Sequence, residues 1–118
     1  GLFTMAKEEF ILSQQRPDDA QLHLRRDVLL TAQVALLGEI SHAVRGIALG
    51  WDDSEIRVRA IMDGEPSEDD IESIECAGTE IVASFPAHQI AVEVVRLDQP
   101  APLEPQGLKA WVFRRKEA

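Results

Sequence analysis

Tyrosine is absent from this chain of 118 residues, cysteine occurs once and histidine three times. A single Cys76 has no internal disulfide partner, so a reduced, cytoplasmic setting is expected. One thiol and the scattered His23, His42 and His88 make a poor zinc set, because structural zinc takes four nitrogen or sulfur ligands in close pairs. No loop has the acidic spacing of a calcium site, and neither a metal nor another cofactor is expected. Long apolar runs are missing too. None approaches the roughly 20 residues that cross a bilayer, and no basic stretch leads into an apolar one as in a secretion signal. No membrane partner is expected. A glycine-rich phosphate loop, a nucleophile elbow and a His-Glu-x-x-His pair are all lacking, so the chain reads as a protein without enzymatic activity. Bases are scarce: lysine and arginine total 12 against 21 acids, a net charge of −9. That argues against a phosphate-binding surface and so against nucleic acid.

What is present suits one folded domain. Apolar residues make up 45% and charged residues 28%, a balance that lets a core form and excludes global disorder. The chain starts at Gly1 rather than Met, and Met5 is expected as the native start. Residues 1–19 read as an N-terminal segment, flexible or in part added to the native chain, and residues 20–118 as a single domain. The charge is uneven. Between Asp52 and Glu80 eleven carboxylates stand against Arg57 and Arg59, so this stretch alone carries the whole net charge.

Residues 5–15 have enough anchors for a turn or two of helix. Pro17 is expected to reset the chain, with Asp18 or Asp19 as the N-cap of a helix over 20–40. Leu22, Leu29, Ala32, Leu36 and Ile40 recur at helical spacing, and Leu30, Val34 and Leu37 widen the stripe, so much of that helix is expected to be buried. Val44–Trp51 is nearly continuous in apolar residues and reads as a strand. Asp52-Asp53-Ser54 is the turn. Glu55–Asp63 alternates with period two, placing Ile56, Val58, Ala60 and Met62 on one face and Arg57, Arg59 and Ile61 on the other. Gly64 and Pro66 break it. Ser67 then caps a second helix whose first turn holds Glu68, Asp69 and Asp70, and whose stripe runs from Ile71 to Phe85. Gln89–Leu97 and Leu108–Arg114 are two more strands, joined by a loop with three prolines. The fold class is α+β, in the order α-β-β-α-β-β, with two helices on one face of a four-stranded, mostly antiparallel sheet. The halves share a pattern and read as an architectural repeat. The second sheet face would show Arg57, Arg59, Ile61, Glu93, Val95, Trp111 and Phe113. Its cover is the N-terminal segment, the proline loop or another protein.

Several residues carry a choice of readings. His42 and His88 precede matching strands and would be either a facing acid–base pair or plain loop histidines. Cys76, among Glu72, Glu75 and Glu80, lacks the electropositive setting of a nucleophile and reads as a structural or exposed thiol. Asp63, Glu65, Glu68, Asp69 and Asp70 fit a solvated face, a partner-binding patch, or a hydrolytic pair or divalent-metal site. Trp51 and Trp111 fit an interface or the core. Arg57 and Arg59 are expected to pair with acids such as Glu93.

Five segments together resemble a group of bacterial immunity proteins, those paired with contact-dependent growth-inhibition or related polymorphic toxins. They are ALLGEIS (35–41), GWDDSEIRVR (50–59), DGEPSEDD (63–70), TEIVASFP (79–86), and RLDQPAPL with WVFRRKE (96–103, 111–117). The resemblance implies a cytoplasmic antidote that binds a cognate, basic toxin domain and blocks it. The partner surface then expected comprises Trp51, Asp52, Asp53, Glu55, Asp63, Glu65, Glu68, Asp69 and Asp70. The other reading is a homodimeric ligand-binding or structural domain without catalysis.

Overall fold

A computed structural model describes the backbone of residues 2–117 and the side chains of residues 19–117. Its elements follow the expected order: α1 (Leu2–Ala35), β1 (Val44–Trp51), β2 (Glu55–Met62), α2 (Glu68–Ala83), β3 (Gln89–Arg96), a 3-10 turn (Glu104–Gln106) and β4 (Ala110–Arg114). The four strands form one sheet in the order β3-β2-β1-β4. β1 is antiparallel to both β2 and β4, and β3 runs parallel to β2.

The expected repeat does not survive as a structure. The first two strands make a hairpin, whereas β3 and β4 sit on opposite edges of the sheet. Helix α2 carries the chain back along the sheet, so β3 enters parallel to β2, the usual outcome of a strand–helix–strand crossover. The proline loop then takes the chain across to the free side of β1.

α1 departs from expectation at both ends. It runs unbroken through Pro17, so neither Asp18 nor Asp19 caps a new helix. A proline removes one backbone bond within a helix, and strong helix formers on both sides keep the turns going. At the other end α1 stops at Ala35, not Ile40. Gly38 takes a φ of 77°, and Glu39 N–H donates to the Leu36 carbonyl at 3.0 Å. A left-handed glycine just beyond a helix is a common stop, since no Cβ opposes that conformation.

The core lies between the helices and one sheet face. Val28, Ala32 and Ala35 of α1 and Leu36 just after it meet Ile74, Ala77 and Ile81 of α2 and Ile47, Leu49, Ile56, Val58, Ala60 and Met62 of the hairpin. The approach of α2 to β3 depends on Gly78: a Cβ there would lie 2.6 Å from the Val92 Cγ2. The wide α1 stripe, however, is corrected. Leu22, Leu30, Val34 and Leu37 are 61%, 54%, 62% and 75% exposed. Leu22, Leu30 and Val34 lie on the side of the helix turned away from Val28 and Ala32, and Leu37 lies just past its end.

The proline loop covers part of the second face. Leu103 is buried and Ile61 fully so; Arg59 Nη1 donates to the Gln106 carbonyl at 3.1 Å. Trp111 lies on this face, against Gly46 and Gly107. Phe113 does not join it. A bulge shifts the register so that Ile47 pairs with Phe113 and Ala48 with Trp111. The extra residue, Val112, breaks the alternation, and Phe113 turns to the helix-side core.

Candidate partner-binding surface

The expected surface is one run of sequence but two places in space. β2 separates them, and eight extended residues at roughly 3.3 Å each put its ends about 25 Å apart. Trp51, Asp52, Asp53 and Glu55 lie at the hairpin turn. Asp63, Glu65, Glu68, Asp69 and Asp70 lie at the far end, where β2 leads into α2.

At the hairpin turn most of these groups are engaged inside the chain. One Asp52 carboxylate oxygen accepts from Ser54 N–H at 2.8 Å, from Glu55 N–H at 2.7 Å and from Ser54 Oγ at 3.1 Å. Those bonds, led by the backbone bond from Ser54, lower the Asp52 carboxyl below its usual range. The residue therefore shapes the turn. Glu55 pairs with Arg57 at 2.9 Å. Trp51 is 8% exposed, with the Arg25 guanidinium 5.6 Å and the Lys109 ammonium 5.3 Å from its ring centre. Two cations against one indole ring favour packing, and little of the ring is left for a partner. An open cleft of about 390 Å³ lies beside it, lined by Gly50, Asp52, Arg57, Leu108 and Lys109 among others. Asp52 and Asp53 are both exposed and form no salt bridge among the described residues, but only Asp53 is left with a carboxylate that accepts no hydrogen bond there.

At the far end Asp63 is likewise engaged, pairing with Arg115 at 2.8 Å and accepting from Gln99 N–H at 3.3 Å. Glu65, Glu68, Asp69 and Asp70 form no salt bridge among the described residues. Ser67 caps α2 by accepting from Asp70 N–H at 3.0 Å, so these acids crowd the helix N-terminus, where its dipole favours them. Glu72, Glu75 and Glu80 extend the charge along the outer side of α2 and are exposed. The expected surface omitted these three. Their helical spacing from Glu68 was the signal that could have found them. Beside Glu80, Leu30, Thr31 and Val34 of α1 line a shallow depression.

The arginines of the sheet are satisfied internally, as expected. Glu93 accepts from Arg57 and from Arg59, each at 2.7 Å. Its carboxyl is held below the usual range, first by the Arg59 bond. Arg45 carried no signal in the sequence, yet it is buried. It is the unpaired residue of a bulge between Val44 and Gly46. Its guanidinium donates to the Leu97 and Ala101 carbonyls at 2.7 Å each and to both Glu117 oxygens.

The histidine pair does not form. His42 precedes β1 and His88 precedes β3, and the register sets those strand starts at opposite ends of the sheet. His88 Nε2 instead meets the Asp52 carbonyl at 2.9 Å. Cys76 is exposed. Among the described residues no group of three or more His, Cys, Asp or Glu is placed to hold a metal ion, and no helix is long and apolar enough to cross a membrane. The start and the outer side of α2 are strongly acidic.

The family model of the MafI2 immunity proteins matches residues 25–117. No curated protein matches the chain.

Proposed function

The chain belongs to the MafI2 immunity protein family, and from that premise we propose that it neutralises a basic toxin domain by binding it and covering its active surface. It works as a stoichiometric cytoplasmic antidote and not as an enzyme. The observation that supports this reading is the set of carboxylates without a cation of their own among the described residues. Asp53 stands at the hairpin turn. Glu65, Glu68, Asp69 and Asp70 stand at the start of α2, and Glu72, Glu75 and Glu80 continue along it. Such a surface speeds encounter with a basic partner and penalises a neutral or acidic one. Asp52, Glu55 and Asp63 help from behind, by holding the turn and the strand end, and Trp51 supports the hairpin.

Co-expression tests the proposal. The C-terminal domain of the large protein encoded beside this gene is induced with and without the chain, and growth and co-purification are scored. Rescue with a stable complex is expected. A toxic neighbour with neither rescue nor complex would overturn the pairing.

The exposed row of Leu22, Leu30, Val34 and Leu37 favours a second reading, a homodimer that covers this row in a structural or ligand-binding role. Light scattering across a wide concentration range decides it: a constant monomer mass discards the dimer.

A further inference from the structure

The two edges of the sheet are built differently. β4 has five residues and a bulge in its pairing with β1, both features that discourage a further strand. β3 has eight residues and pairs with β2 along its whole length without a register shift. It contains no proline. Its two charged residues are both tied within the chain: Glu93, on the second sheet face, to Arg57 and Arg59, and Arg96, at the strand's end, to Asp98.

The backbone of β3 has a free side. Gln89 N–H donates to the Ser54 carbonyl and Leu97 N–H to the Met62 carbonyl. In a parallel ladder alternate residues turn both main-chain groups to the same neighbour. The odd-numbered residues therefore face β2, and Ile90, Val92 and Val94 turn N–H and C=O outward. Among the described residues no main-chain hydrogen bond reaches those groups. This is a row of unpaired donors and acceptors, the kind that takes up an added strand.

Helix α2 overhangs this edge. Gly78 rests on Ile90 and Val92. Glu80 and Ser84 lie beside α1, so the flank away from α1 is the line through Gly78 that carries Ile71, Glu75 and Val82. Ile71 and Val82 are half-buried and Glu75 is exposed. The helix as a whole holds Glu68, Asp69, Asp70, Glu72, Glu75 and Glu80 and no base. A second copy of the chain at this edge would set two such helices side by side, each on a body of net charge −9, and repulsion opposes it. An extended segment with apolar and basic side chains meets no such cost.

We propose that β3 takes up an extended segment of the toxin as a fifth strand, bonded to the outward main-chain groups of Ile90, Val92 and Val94, with basic side chains turned toward α2. This rests on the toxin-binding reading and states where and how the toxin docks.

Amide hydrogen exchange of the full, nitrogen-15-labelled chain tests it, read by NMR with and without the C-terminal toxin domain of the neighbouring gene. The amides of Ile90, Val92 and Val94 exchange fast in the free chain, and in the complex they slow by roughly tenfold or more, while the odd-numbered β3 amides are protected in both states. A complex that leaves those three amides as fast as before overturns the docking mode and leaves the antidote reading standing. Protection already present in the free chain and rising with its concentration shows that a second copy holds the edge, which also overturns the proposal. If no complex forms, the antidote reading for this pair falls, and the docking mode with it.

Discussion

Arg45 and Glu117 meet in a two-pronged ion pair, with nitrogen–oxygen distances of 2.8 and 2.9 Å. Glu117 also accepts from Arg115, which in turn holds Asp63 and the His42 carbonyl. One guanidinium thus ties the C-terminal residues and the proline loop to the bulge of β1. Replacing Arg45 by methionine keeps much of its volume but leaves the Leu97 and Ala101 carbonyls and Glu117 without their donor. The expected loss is about 1–3 kcal/mol, as for acceptors left without their donor around a buried side chain. Urea unfolding of R45M measures it, and an unchanged midpoint would show the latch to be idle.

The same pair sets an acid dependence. The bond from Arg45, with a second from Arg115, lowers the Glu117 carboxyl from 4.5 to about 2. A carboxyl depressed on folding stabilises the fold fully above its unfolded value, and that stability drains as pH falls through the folded value. Midpoints measured in steps from neutral pH downward are expected to fall between about 4.5 and about 2. E117Q flattens this fall relative to the parent. Glu93, lowered chiefly by Arg59, adds in the same direction. A pH profile of E117Q parallel to the parent's would refute the assignment.

Gly78 is a contact that only glycine permits. In G78A the new methyl meets the Val92 Cγ2 at 2.6 Å, and overpacking of this kind costs about 1–3 kcal/mol. Trimming the obstacle in G78A/V92A is expected to be milder than the sum of the single losses. Additive losses in a double-mutant cycle would show that the two side chains do not compete for the same space.

Charge reversal separates steering from folding. D69K and D70K remove free carboxylates from the start of α2, with a cost near 0.5 kcal/mol for the helix dipole. Their main effect is expected on the association rate with the toxin domain, which drops by about tenfold or more at low salt and converges with the parent at high salt. D53K, about 25 Å away at the hairpin turn, tests whether that end takes part. Unchanged rates for all three would remove the acidic surface from the interface.

Much of this protein is determined locally and can be read in its letters. The alternation of β2, the Ser67 cap, the Asp52 turn and the α2 stripe each depend on neighbours within a few residues, and each was legible. The acidic character of α2 was legible too, since charge is a property of composition. Tertiary structure decided the rest. Whether Leu30 and Val34 are core or surface depends on how wide a face the sheet and α2 offer to α1. One bulge separates Phe113 from Trp111, and another places Arg45 in the interior, and neither bulge has a sequence marker. The run from Trp51 to Asp70 looked like one patch because sequence distance is short, but an extended strand lies within it and carries its ends apart. The free edge of β3 arises only because a crossover through α2 sends β3 and β4 to opposite sides of the hairpin. Local hydrogen bonding and side-chain periodicity specify elements; the order in which strands pair is set by long-range packing, and that order created the surface the antidote reading uses.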